Sequence, residues 1–187
     1  MTFLVDTSIN VLSPENFEKQ KLLIQRISSR FNVTNVGGIK IIPYSDLAHL
    51  SRIFQIQQNK TFGEFAERMR DLQYLRGGCC RYDLAFEKGH SDIQTQVAQA
   101  NVQNVIVLLA SGMTPTNVHI GNTAAVIKEA KILTFAVGIG DSVRSSDLKT
   151  IATDSSKAFT FANFDSLAVN DIYKDICRST GEFLSQD

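Results

Sequence analysis

Thr2-Phe3-Leu4-Val5-Asp6-Thr7-Ser8-Ile9-Asn10 decides the fold. Residues 2–5 form an apolar run with the β-branched and aromatic character of a buried strand. Residues 6–10 follow with a carboxylate, two hydroxyls and an amide. Ser13-Pro14-Glu15-Asn16 then opens a helix, with serine as N-cap, proline at the first helical position and an acid in the first turn. A strand that turns into a helix and delivers Asp and Ser at its carboxyl end is a unit of an open α/β sheet. It puts hard oxygen donors where such sheets bind ligands.

Downstream, the same alternation continues. Phe17, Leu22 or Leu23, Ile27 and Phe31 recur near helical period, so the first helix reaches about Phe31. Val36-Gly37-Gly38 breaks the chain before a strand over Ile39–Tyr44. Ser51–Ile56 reads as a third strand, whose short link predicts an antiparallel sheet edge. Helices are expected over Thr61–Leu72, from Arg81 to Gly89 and over Gln94–Ala100. Asn104–Ser111, the most apolar strand, is expected at the centre of a parallel sheet. The rest reads as loop Gly112–Asn122, helix Thr123–Ile132, strand Leu133–Ile139 and helix Ser145–Thr153 capped by Ser145 or Ser146. Edge strand Ala158–Ala162, helix Ser166–Arg178 and a frayed end over Ser179–Asp187 complete it. The order predicts an α/β fold: a doubly wound, mainly parallel six-stranded sheet with one antiparallel edge strand and helices on both faces. Residues 1–187 read as a single domain.

With 19 basic and 19 acidic residues the chain has no net field to draw in nucleic acid. No apolar stretch approaches the ~20 residues of a membrane span. Gly138-Ile139-Gly140 lacks the third glycine of a dinucleotide fingerprint, and no GxSxG elbow occurs. His49, His90 and His119 are scattered, and no zinc spacing links them to a cysteine. The three cysteines are Cys79, Cys80 and Cys177. Adjacent cysteines seldom bridge, so Cys79 and Cys80 are expected as half-buried thiols. Asn32-Val33-Thr34 and Asn59-Lys60-Thr61 are glycosylation triplets in expected loops, which makes Asn32 and Asn59 candidate acceptors.

Three segments should converge at the carboxyl ends of the strands: residues 6–10, Gly77-Gly78-Cys79-Cys80-Arg81 and Ala110-Ser111-Gly112-Met113-Thr114. Read alone, Asp6-Thr7-Ser8 also suits a self-bonded turn, Ser111-Gly112 a plain strand exit and Gly77-Gly78 a loop without function.

Together with Ile132–Gly140, Leu148-Ile151-Ala152 and Phe164-Asp165-Ser166-Leu167, these segments resemble a von Willebrand factor type A domain along nearly the whole chain. The resemblance implies a metal-ion-dependent adhesion site, in which a DxSxS motif, a Thr and an Asp hold a divalent cation that an acidic partner group completes. Asp6 and Ser8 match that pattern. Asn10 stands for the second Ser, Cys80 for the Thr and Ser111 for the Asp. Sulfur is a poor ligand for Mg²⁺, and Ser111 removes a carboxylate, so a degenerate site without metal is expected, a variant Mg²⁺ site being the alternative. Arg81 is expected to turn toward the vacated charge and pair with Asp6.

The resemblance also implies a non-enzymatic module of an extracellular or matrix protein. It would dock a protein partner, collagen-like matrix proteins included, on a loop face containing Arg81 and Thr114. Cys177 resembles the closing cysteine that many extracellular relatives bridge to a residue ahead of the first strand. A cytoplasmic scaffold within a larger assembly is the alternative, and unbridged cysteines would suit it.

Overall fold

The computed structural model describes residues 1–31, 38–46, 54–56, 61–95, 103–113 and 120–180. Among these, the strands are β1 (Thr2–Asp6), β2 (Ile39–Tyr44), β3 (Phe54–Ile56), β4 (Val105–Ala110), β5 (Leu133–Ile139) and β6 (Ala158–Phe161). They form one sheet in the order β3-β2-β1-β4-β5-β6. Every pairing is parallel except β2 with β3, which is antiparallel. The helices are α1 (Pro14–Ser28), α2 (Phe62–Asp71), α3 (Tyr82–Thr95), α4 (Ile120–Glu129), α5 (Ser145–Ile151) and α6 (Val169–Thr180).

The alternation of side chains along the central strands creates two apolar layers. Phe3, Val5, Val107 and Leu109 face α1, α2 and α6. Leu4, Ile106, Leu108 and Ala110 face α3, α4 and α5. Every residue of β1, β2 and β4 is buried, as a strand covered on both sides requires. Each large side chain removed from water this way contributes about 1.5–3 kcal/mol.

Ser13 caps α1 as its sequence predicts, accepting the Asn16 N–H at 3.1 Å. Three expectations change. Gly89 does not end a helix: α3 runs unbroken to Thr95, with Gly89 packed on the sheet. A Cβ on Gly89 would touch Ile106 and Leu4 side chains at 3.6 Å. Neither Ser145 nor Ser146 caps α5. Arg144 is the N-cap and makes no side-chain cap bond; its guanidinium instead holds Asp147 at 2.9 Å. Finally, α4 begins at Ile120, before Thr123. Residues 96–100, the break at 36–37 and the end over 181–187 lie outside the described residues.

Gly138 marks the closest approach of α5 to the sheet. A Cβ there would sit 2.5 Å from Leu148 Cδ1 and 2.8 Å from Val143 Cγ1. A Gly138→Ala variant is expected to lose about 1–3 kcal/mol through overpacking. Urea titration should show a lower midpoint at an unchanged slope. An unchanged midpoint would mean that α5 backs away from β5 without cost.

Candidate functional site

Asp6 ends β1 and is fully buried. Its Oδ1 accepts the Ser8 N–H at 2.8 Å, and its Oδ2 accepts the Ser111 N–H at 2.8 Å. Since Ser111 follows β4, one carboxylate ties the exits of two adjacent strands. From α1, Gln20 Nε2 donates to the Asp6 carbonyl at 3.2 Å. Burial raises the Asp6 carboxyl above its ordinary pKa, while the bonds from Ser8 and Ser111 pull it back down.

The second loop is strapped across the ends of β1 and β2. Ile9 N–H donates to the Gly77 carbonyl at 2.9 Å, and Gly77 N–H to the Thr7 carbonyl at 3.3 Å. Thr7 holds β2 through its N–H and Oγ1, which both donate to the Tyr44 carbonyl. Arg81 N–H reaches the Ser45 carbonyl at 2.8 Å, and Gly78 N–H the Asp46 carboxylate at 3.2 Å.

Cys79 and Cys80 form a disulfide, which overturns the expectation of two thiols. The surroundings hold the two sulfurs side by side. Asn10 Nδ2 donates to Cys79 Sγ at 2.8 Å and to Cys80 Sγ at 2.9 Å. Ser8 Oγ lies 3.4 Å from Cys80 Sγ. A disulfide sulfur carries no proton, so Ser8 must be the donor there. Ser8 Oγ accepts the Asn10 N–H at 3.3 Å in turn. Gly112 closes the cluster from the third loop. A Cβ on it would collide with Asn10 Nδ2 and lie 2.6 Å from Cys80 Sγ.

Hydrogen bonds and sulfur contacts thus bring Asp6, Ser8, Asn10, Cys80 and Ser111 together. Arg81 does not pair with Asp6. It holds the buried Asp83 carboxylate through Nε and Nη2 at 2.8–3.1 Å, two residues along the chain and in the first turn of α3. Cys177 lies in α6, 2% exposed in the core layer beside Phe3, and takes no part in the disulfide. Thr114, Asn32 and Asn59 lie outside the described residues. Sequence reasoning missed Cys79 as a partner, Gln20 as a support and Gly112 as a close contact. The adjacent cysteines were the one available signal.

Apolar side chains rim the cluster. Ile9 is 54% exposed, Leu12 75% and Met113 42%. Leu12 sits at φ 74, ψ −42, and the Ser13 N–H donates across it to the Val11 carbonyl at 3.0 Å. This is the γ-turn conformation that side-chain-bearing residues rarely adopt.

A family model described as von Willebrand factor type A domain matches residues 1–175. The chain belongs to this family. It is 28% identical to the collagen alpha-1(XXI) chain of Xenopus laevis over 177 residues, which is 92% of this chain and 17% of that one. It is 23% identical to the mouse collagen alpha-4(VI) chain over 190 residues, 96% of this chain and 8% of that one. The chain thus spans less than a fifth of these curated relatives. A similar solved structure is mussel byssus proximal thread matrix protein 1 with a zinc-occupied MIDAS motif. Its TM-score is 0.80 at 20% identity, over 94% of this chain and 45% of that one. At that identity the likeness concerns the fold.

The donor set of this VWA domain does not suit a hard divalent cation. Of the two carboxylates in the family pattern only Asp6 is present, and both its oxygens already accept backbone N–H groups. The Cys80 sulfur is oxidised, hence a still weaker ligand than a thiolate. The Asn10 amide nitrogen is turned toward the sulfurs. Ser111 supplies no charge, and its Oγ is buried without a hydrogen-bond partner among the described residues.

Removing the Asp6 carboxylate strands two N–H groups, so Asp6→Ala is expected to cost about 2–5 kcal/mol. The cost should depend on pH. Because burial raises the folded carboxyl above 3.8, the group's stabilising share is full below that value and is lost as pH rises through the folded pKa. Urea midpoints of wild type and variant should therefore differ most near about pH 3 and less at neutrality. A gap that widened with pH would refute the raised carboxyl.

Proposed function

We propose that residues 1–187 act as one non-enzymatic protein-binding domain of an extracellular matrix protein, docking a collagen-like partner on the loop face without a metal ion. One observation carries this reading. Where the family pattern calls for a cation, the disulfide and the Asn10 amide fill the centre, and the exposed apolar residues Ile9, Leu12 and Met113 rim it. Leu12 combines the largest exposure of these with a strained backbone. Both features cost a free domain stability and are offset if a partner covers the side chain. Burying such a residue at an interface centre typically dominates binding.

Matrix relatives support the setting, since the chains named above are collagens. In this reading Arg81, held by Asp83 and 31% exposed along its side chain, would contribute to the docking face together with Thr114. Asn32 and Asn59 would, in this reading, carry glycans. Cys177, packed in the layer that Met1 also lines, would in this reading bridge a cysteine ahead of β1 in a longer chain.

Binding to immobilised triple-helical collagen, measured by surface plasmon resonance, tests the reading. Affinity should be the same in EDTA and in millimolar Mg²⁺ or Mn²⁺. The double variant Ile9→Asp, Leu12→Asp should lose at least about tenfold, with its thermal midpoint unchanged. Binding that needs a cation would establish the variant metal site instead. Absence of binding in every condition would remove collagen as the partner.

A further inference from the structure

The two sulfurs of the loop-face disulfide differ in access and in bonding. Cys79 is exposed, whereas Cys80 is fully buried. Asn10 Nδ2 donates to both, but the Ser8 hydroxyl lies against Cys80 alone. Thiol–disulfide exchange depends on which sulfur a thiolate can reach and on how well the other leaves as thiolate. Access selects Cys79 as the atom attacked. Two donors converge on Cys80, where negative charge would develop.

We propose that Cys79–Cys80 is an exchangeable disulfide, a modification site at which a small thiol attacks Cys79 Sγ and expels Cys80. The thiolate forms a bond to Cys79 Sγ and the Cys79–Cys80 bond breaks. The electron pair passes to Cys80 Sγ, which takes a proton from solvent. The product is a mixed disulfide on Cys79 and a thiol at Cys80. A second thiol attacks the added sulfur, leaving Cys79 as a thiol and releasing the small disulfide. In sum, two thiols are oxidised as the protein disulfide is reduced.

The exchange has a structural consequence. Ser8 and Asn10 on the first loop and Gly112 on the third all pack on these sulfurs. Opening the disulfide changes the sulfur surface on which Ser8, Asn10 and Gly112 pack. The chemistry stands independently of collagen docking, because it is read on the domain alone.

The folded protein, isolated under oxidising conditions, is incubated with glutathione, quenched with an alkylating maleimide and mapped by peptide mass. The expected adduct is glutathione on Cys79 with maleimide on Cys80, while Cys177 is labelled only after denaturation. Ser8→Ala should slow the exchange about fivefold in the folded state and leave it unchanged in urea, with circular dichroism confirming the fold. Glutathione on Cys80 would overturn the proposal. So would exchange that occurs only in urea, or Cys79 and Cys80 recovered as thiols before treatment. An unchanged or faster rate in folded Ser8→Ala would refute the role of Cys80 as the assisted leaving group.

Discussion

The Asp6 carboxylate is the constraint on which the upper face depends. It is fully buried and accepts one backbone N–H from the loop after β1 and one from the loop after β4. A buried carboxylate is costly unless its oxygens are satisfied. The two loops must therefore take the conformations that present those N–H groups. Gln20 and Thr7 then fix the backbone around it to α1 and β2. Everything displayed to solvent, from Ile9 to Met113, is set by this closed unit.

In the adhesion-site pattern of the family, a cation draws three loops together through charge. Here hydrogen bonds and close packing link the same three loops. The disulfide stiffens the second loop, Asn10 and Ser8 reach it from the first, and Gly112 lets the third approach because it has no side chain. The exposed surface also changes character: a cation face attracts acidic groups, whereas Ile9, Leu12 and Met113 offer apolar area.

Much of this was legible in the order of residues. The strand–turn–helix opening, the apolar run of β4 and the Ser13-Pro14 cap follow from local rules, and the five adhesion-site positions follow from the family pattern laid on them. Errors arose where a neighbour in space overrode a local rule. Gly89 reads as a break because glycine disfavours helices, yet it lies inside α3, packed against Leu4 and Ile106. Arg81 was assigned to Asp6 by charge alone, while the Asp83 carboxylate lay nearer in the chain and in space. Cys79 and Cys80 were kept apart by the rarity of such bridges, which says nothing of the Asn10 amide resting on both sulfurs.

Sequence by itself determined the layered sheet, its two apolar faces and the three segments that meet above it, because periodicity, capping and chain order act over short ranges. Only the tertiary structure decided what their residues do on meeting. Whether a carboxylate faces a cation or two backbone N–H groups, and whether two cysteines stay thiols or join, depends on groups that are dozens of positions apart in the chain. Their distances and orientations exist only once the strands have paired.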